Sequence, residues 1–144
     1  FRAVIEEACD YFDFVFMDSP AGLGEGFQLA MAAADRVIVV SAVDPAALRD
    51  AQRTVAELHE LTQLHLVMNR VQPRLISKLR TSIDSAMDTA GLPLLGVVPE
   101  DPNVTMATAA GVPLILTTYK GAAPAYLNIA KRLLGQRVPL LRIQ

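Results

Sequence analysis

Short apolar runs alternate along the chain with stretches in which apolar residues recur every three or four positions. The runs are rich in β-branched or aromatic residues and are predicted to form strands, at residues 14–17, 37–40, 64–68 and 94–98. The stretches with helical spacing are predicted to form helices, at residues 1–8, 27–34, 45–61, 76–91, 102–111 and 125–134. This alternation predicts an α/β fold with three layers, in which helices cover both faces of a mostly parallel sheet.

Local capping signals support these predicted helices. The pairs Asp44-Pro45 and Asp101-Pro102 each place an N-capping carboxylate before a proline that is tolerated in the first helical turn. Gly91 and Gly135 follow the last apolar position of two predicted helices, where glycine commonly ends a helix. No repeat, low-complexity tract or linker divides the chain, so we expect one domain over residues 1–144.

The composition excludes several classes of function. A net charge of -2, without any block of Lys or Arg, argues against a nucleic-acid-binding surface. Cys9 is the only cysteine, so the chain forms no internal disulfide and no cysteine metal cluster, which is typical of a cytoplasmic protein. No apolar run approaches the ~18 residues of a membrane-spanning helix.

Because Phe1 already lies in a helical pattern, we expect the chain to be part of a longer protein.

The first predicted strand delivers Asp18 into a turn of small residues, Ser19-Pro20-Ala21-Gly22. Ligands of parallel α/β sheets bind at the carboxyl ends of the strands, and P-loop nucleotide hydrolases hold magnesium with an Asp at such a place. Because Mg²⁺ keeps most of its water shell, Asp18 is predicted to bind the ion through a water molecule. The backbone of Pro20, Ala21 and Gly22 is predicted to contact the terminal phosphate, which makes Asp18 and Gly22 the candidate catalytic residues.

Two further segments follow predicted strands and are candidates for binding the nucleotide base. Asn69 carries an amide that offers a donor and an acceptor together, as recognition of adenine N6 and N7 requires. Arg70 is positioned to stack on the base. Pro99, Glu100 and Asp101 are predicted to close the other side of the base, chiefly through backbone groups, because carboxylates beside phosphates would repel them.

Each of these residues also has an ordinary structural interpretation. An Asp before Ser-Pro is a common turn signal, and Asn69-Arg70 is compatible with a simple turn after a strand. Asp101 is well placed to cap the helix that follows it. These interpretations stay open at the level of sequence.

One expected part of a nucleotide hydrolase is absent from the sequence. P-loop enzymes cradle phosphates with the pattern G-x-x-x-x-G-K-[ST], whereas the first lysine of this chain is Lys78 and the pattern occurs nowhere in it. The sequence therefore combines a predicted magnesium and base site with no phosphate loop.

Taken together, these segments resemble the MinD branch of the MinD/ParA family of deviant P-loop ATPases. The resemblance is sharpest at residues 18–22 and continues through residues 26–27, 34–40, 47–53, 68–70 and 96–101. It implies an incomplete P-loop NTPase-like fold, the C-terminal part of a MinD/ParA-type ATPase domain. Two family features are missing, namely the phosphate loop and the basic amphipathic helix with which MinD proteins usually end.

For the intact family member, the resemblance implies an ATP hydrolase that uses ATP and Mg²⁺ and takes part in placing the cell-division site. It also implies a homodimer around ATP, a division-inhibitor and an activator as protein partners, and a peripheral position at the cytoplasmic membrane. For this chain alone we expect neither ATPase activity nor membrane binding. The alternatives are a flagellar-placement or chromosome-partitioning relative, or a non-enzymatic interaction module of the same fold.

Overall fold

A computed structural model describes residues 1–20, 22–58, 63–72, 87–88 and 91–140 of the chain. Three strands form one sheet in the order β1-β2-β3, with β1 at Val37–Ser41, β2 at Leu64–Val71 and β3 at Leu94–Pro99. The helices of the described residues are α1 (Arg2–Cys9), α2 (Glu25–Met31), α3 (Pro45–Glu57), α4 (Pro102–Ala109), α5 (Leu114–Thr117) and α6 (Ala123–Leu133). None of these helices has the length and apolar character needed to cross a membrane.

All pairing in the sheet is parallel. Val37 of β1 lies opposite Leu64 of β2, and this register continues without a break to Ser41 opposite Met68. The β2-β3 pairing contains two irregularities, the second of which lies between Met68 and Val71. Parallel pairing confirms the predicted α/β fold class.

The core lies on both faces of the sheet. On one face, α2 and α3 cover the sheet, and the buried cluster includes Phe27, Ala51, Leu66 and Met68. On the other face, α4, α5 and α6 contribute to a second cluster that is centred on Val67, Leu95, Val98, Ala122 and Ala125. Consecutive residues of β2 point to opposite faces, as a pleated strand requires, so the sheet is the middle of three layers.

The predicted helix starts at the two Asp-Pro pairs are confirmed. The Asp44 carboxylate accepts hydrogen bonds from the backbone N–H groups of Ala46 and Ala47, at 3.0 and 2.9 Å. Helix α3 ends at Glu57, earlier than predicted, and residues 59–62 lie outside the described part of the chain. The predicted helix at 76–91 falls almost entirely on residues that the structure does not describe.

The prediction of a buried strand at residues 14–17 is wrong for the chain as it stands. These residues run without regular secondary structure, and Phe14 and Phe16 are 56% and 78% exposed. A strand requires a hydrogen-bonded neighbour, and none of the described residues pairs with this segment. The apolar composition of this segment is therefore not sufficient to make it a strand.

The predicted ends of the second and third sheet strands also need correction. β2 continues three residues past Met68, to Val71, and β3 includes Pro99. Val71 pairs with Pro99, and the Val71 carbonyl accepts the N–H of Glu100 at 2.9 Å. Asn69 and Arg70 therefore lie within the last part of β2 and not in a loop after it.

Asp101 joins the starts of two helices. One carboxylate oxygen, Oδ1, accepts the backbone N–H and the side-chain amide of Asn103 in α4, at 2.9 and 2.8 Å. The other, Oδ2, accepts the backbone N–H of Ala122 at the start of α6, at 2.9 Å. Gly121 has a φ of +63°, and a Cβ at this position would collide with the Asp101 carboxylate. This arrangement, the Asp101 clasp, fixes α4 and α6 at the carboxyl end of β3.

We predict that Asp101→Ala lowers the free energy of unfolding by about 2–4 kcal/mol, because it removes a helix cap and the charged hydrogen bond to a second helix. Asp44→Ala is the matched control, since Asp44 caps only its own helix, and it should cost about 1 kcal/mol. Urea unfolding of both variants gives the comparison. Equal losses would show that the bond to Ala122 adds nothing to stability.

The clasp should also make stability depend on pH. The N–H of Ala122 is the main cause that lowers the pKa of Asp101; burial opposes it, and the bonds from Asn103 add to it. A carboxyl with a lowered folded-state pKa stabilises fully above its unfolded value of about 3.9, and loses this contribution as pH falls through the folded-state value. The stability difference between wild type and Asp101→Asn should hold from pH 8 to 5 and shrink below about pH 4. A difference that stays constant down to pH 3 would contradict the lowered pKa.

We also predict that Gly96→Ala destabilises the packing of α6 on β3 by about 1–3 kcal/mol, because the new methyl group would overlap the Ile129 side chain, whose Cδ1 lies 2.8 Å from its position. Ile129→Ala makes room for that methyl group. The double variant should therefore lose less stability than the sum of the single losses. Strict additivity in denaturant titrations would exclude the contact as the cause.

Candidate functional site

A wide cleft separates the irregular segment at residues 12–20 from strand β1. Its volume is about 1400 Å³, and it is lined on one side by residues 12–20 and on the other by residues 33–42. Asp18 and Pro20 line it together with Ser41, the last residue of β1. The carboxyl end of β1 and the predicted magnesium residue therefore line the same cleft.

The turn after Asp18 is open to the cleft. Asp18 is exposed, and Gly22 has a φ of +88° with no atom near the place of a Cβ, so its backbone conformation requires glycine even though space does not. Pro20 packs closely against Gly26 in the first turn of α2, where a Cβ would lie 2.9 Å from Pro20 Cγ. Ala21 lies outside the described residues. The turn thus has free space in front of Asp18 and Gly22.

Asn69 and Arg70 sit at the irregular part of β2. Arg70 has a φ of +54°, an uncommon conformation for a residue other than glycine, and its backbone N–H donates to the Asn69 side-chain oxygen at 2.9 Å. This internal bond uses one of the two acceptor positions of the Asn69 oxygen, and the side-chain NH₂ group stays available as a donor. The Arg70 side chain is exposed, which keeps its guanidinium face accessible.

Glu100 meets Arg70 across the ends of the two strands. The Glu100 carboxylate lies 3.4 Å from Arg70 Nη2, and both side chains are largely solvent-exposed, so the ion pair adds at most about 1 kcal/mol. Pro99 is buried at the end of β3. The structure therefore brings Asn69, Arg70 and Glu100 together.

The Asp101 side chain is not available to a ligand in the same way. Both carboxylate oxygens are already bound in the Asp101 clasp, so the side chain holds two helices. The backbone carbonyl of Asp101 also accepts a hydrogen bond, from the N–H of Val104 at 3.1 Å. The N-cap interpretation of Asp101 is confirmed.

The candidate residues follow one another along the carboxyl-end rim of the sheet. Asp18 and Ser41 line the same cleft, and Asn69-Arg70 and Glu100 lie at the ends of β2 and β3. Adjacent strands lie about 4.8 Å apart, so β1 and β3 are separated by roughly 10 Å. Among the described residues, no group of three or more His, Cys, Asp or Glu side chains converges as a metal site. A single carboxylate suits Mg²⁺ that keeps its waters.

Strand β1 also borders this region. The Val37 N–H donates to Gln63 O at 2.9 Å, beside β2, while the opposite edge of β1 borders the cleft. Val40 is 60% exposed, although its apolar run reads as a buried strand. The apolar pattern of residues 37–40 does not indicate which edge of the strand is hydrogen-bonded to a neighbour.

Known proteins are similar to this chain in sequence. The chain is 33% identical to the septum site-determining protein MinD of Synechocystis over 97% of its length, and 36% identical to that of Bacillus subtilis over 96%. It spans about half the length of these relatives, 54% and 53% respectively. No family model matches the chain.

The fold of this chain is also similar to that of MinD proteins. A chain of the MinC:MinD cell division protein complex of Aquifex aeolicus superposes with a TM-score of 0.91 at 28% identity, over 99% of this chain and 61% of its own length. MinD of Pyrococcus horikoshii, complexed with Mg-ADP, superposes with a TM-score of 0.78 at 26% identity, over 92% of this chain and 54% of its own. Sequence and fold therefore agree that nearly the whole of this chain is similar to about half of a MinD protein.

Proposed function

We propose that this chain carries the magnesium-site and base-contact half of a MinD-type ATPase that helps to place the cell-division site. The observation that supports this most is the order of Asp18, Asn69-Arg70 and Glu100 along one rim of the parallel sheet, next to an open cleft. Ligands of parallel α/β sheets bind at this rim. The relatives' names supply the biological role.

Each rim residue has a specific proposed contact. Asp18 holds Mg²⁺ through a bound water, and the backbone of Pro20, Ala21 and Gly22 contacts the terminal phosphate of ATP. The free amide group of Asn69 donates to the adenine ring. The Arg70 guanidinium stacks on the base, where its pairing with Glu100 restrains its position.

The backbone of Pro99, Glu100 and Asp101 borders the base from β3. The N–H of Glu100 is bound to Val71 O and the carbonyl of Asp101 accepts the N–H of Val104, so the carbonyl groups of Pro99 and Glu100 are proposed to make the contacts. The rim is long enough for a nucleotide, because its phosphates at the cleft and its base at β2 and β3 would lie roughly 10 Å apart. The Mg-ADP of the Pyrococcus horikoshii relative supports this choice of ligand.

The 144-residue chain by itself is proposed to hydrolyse no ATP, since it lacks the glycine-rich lysine loop. Hydrolysis needs positive charge and backbone N–H groups around the transferring phosphate, and this chain brings only the Asp18 side of the site. Activity therefore requires the phosphate loop from further polypeptide.

The proposal extends to the partners and the cellular location of a complete protein that contains this half. A complete protein with this half is proposed to form a homodimer around ATP and to act peripherally at the cytoplasmic membrane. It would bind a division inhibitor, as the MinC:MinD complex of Aquifex aeolicus supports, and respond to an activator. The outer face of α3 is the candidate partner surface, because Arg49, Asp50 and Arg53 are exposed there.

The test is a hybrid in which the part of Bacillus subtilis MinD that this chain does not match is joined before Phe1. We predict that Asp18→Asn in this hybrid raises the magnesium concentration for half-maximal ATP turnover by about 10–100-fold, because a ligand of a metal-bound water is lost. Phosphate release at varied magnesium is the measurement.

Asp13→Asn is the matched control, because Asp13 lines the same cleft but precedes the strand-like residues that lead to Asp18. Its magnesium dependence should equal that of the unsubstituted hybrid. An unchanged magnesium dependence in Asp18→Asn would remove Asp18 from the proposed site.

A further inference from the structure

The backbone of Glu100 lies between two anchored points at the end of β3. On one side, its N–H donates to Val71 O of β2 at 2.9 Å. On the other side, its carbonyl belongs to the same planar peptide unit as the N–H of Asp101, so the orientation of this carbonyl depends on where Asp101 is held. None of the described residues donates a hydrogen bond to the Glu100 carbonyl, and the residue is exposed. It is therefore an anchored acceptor without a partner in the described part of the chain.

Asp101 is attached to a helix that is distant from it along the chain. Its Oδ2 accepts the N–H of Ala122 at 2.9 Å, a bond between residues 21 positions apart. Ala122 has no exposed surface and belongs to the buried cluster that also contains Val98 of β3. Close-packed interiors resist displacement of their side chains. The bond therefore ties Asp101 to a rigid part of the core.

The Asp101 clasp is more specific than a helix cap requires. An N-cap needs one side-chain oxygen for its own helix, and Oδ1 fills that role by accepting the backbone N–H and the side-chain amide of Asn103. The second oxygen is left for Ala122, and a side chain at Gly121 would collide with the carboxylate. Donors from two helices and the absence of a Cβ at Gly121 together fix the orientation of the carboxylate.

An anchored carbonyl acceptor can distinguish adenine from other purines. Adenine carries an amino group at C6, which donates hydrogen bonds, whereas guanine and hypoxanthine carry a carbonyl oxygen there, which accepts them. A protein carbonyl facing this position therefore bonds to adenine and repels the other two bases. A site that is built to hydrogen-bond a substrate N–H rejects an analogue that lacks it, provided that the acceptor is held in place.

We infer that Asp101 is a positioning residue for adenine recognition: by joining the starts of α4 and α6, it holds the Glu100 carbonyl where this carbonyl accepts the amino group at C6 of the base. The inference rests on the proposed function, because it needs the base at the ends of β2 and β3. The Asp101 side chain acts through the backbone of Glu100, since both of its oxygens are bound within the protein.

The experiment compares turnover of ATP and of inosine triphosphate, whose base is hypoxanthine, by the hybrid with the unmatched part of Bacillus subtilis MinD. Asp101→Asn keeps one oxygen to cap α4 but places an NH₂ group against the N–H of Ala122. The ratio of kcat/KM for ATP to that for inosine triphosphate should fall at least about tenfold, chiefly because KM for ATP rises. Partial unfolding lowers both turnovers equally and leaves this ratio unchanged. Asp44→Asn, at the N-cap of α3, is the matched control and should keep the ratio of the unsubstituted hybrid.

Amide hydrogen exchange in the 144-residue chain tests the positioning without any nucleotide. The N–H of Glu100 should exchange at least about tenfold faster in Asp101→Asn than in the wild-type chain, whereas the N–H of Leu66, which donates to Pro93 O, should exchange alike in both.

Two results would overturn the inference, namely equal exchange at Glu100 in the two chains and an unchanged nucleotide ratio in the Asp101→Asn hybrid. A hybrid that does not prefer ATP before any substitution would instead contradict the proposed base site. The role of Asp101 in recognition would then fail with that site, even if the exchange at Glu100 shows that Asp101 fixes the carbonyl.

Discussion

Among the described residues, strand β1 is hydrogen-bonded to a neighbouring strand along one edge only, and the other features of this part of the chain depend on that asymmetry. Its paired edge fixes β2 and β3 in parallel register and so places Ser41, Asn69 and Glu100 at one rim. Its free edge leaves residues 14–17 outside the sheet and keeps the cleft between them open. The proposed nucleotide site therefore borders this cleft.

The part of the molecule away from the cleft is held independently. Helices pack on both faces of the three strands, and the Asp101 clasp ties α4 to α6 where β3 ends. Arg132 of α6 adds to this by donating to the carbonyl groups of Leu95, Val138 and Pro139, which connects the sheet edge to the segment after the helix. These contacts hold the carboxyl ends of β2 and β3 in place, although none of the described residues pairs with residues 14–17 on the far wall of the cleft.

The sequence predicted the features that depend on local pattern. Apolar periodicity gave the fold class, and the Asp-Pro pairs located the starts of α3 and α4, because capping and spacing are properties of a few consecutive residues. The short helix α5 was missed, since its four residues are too few for a periodic pattern. The second role of Asp101 was also missed, because its bond to Ala122 joins residues 21 positions apart.

The clearest error, the buried strand at residues 14–17, has a different cause. The run Phe-Val-Phe-Met has every local property of a central strand, but strand formation needs hydrogen-bonding neighbours that local pattern does not supply. The positive φ of Arg70 was also not predictable from local pattern, because it lies at a pairing irregularity between β2 and β3.

The most direct test of this account is the width of the cleft in solution. Nuclear Overhauser contacts between the backbone protons of residues 14–17 and those of β1 report whether the two walls are neighbours. The account predicts none in the isolated chain, because a gap of one strand separates the walls by roughly 10 Å. Regular cross-strand contacts between these segments would show that the segment pairs directly with β1, and would contradict an open cleft.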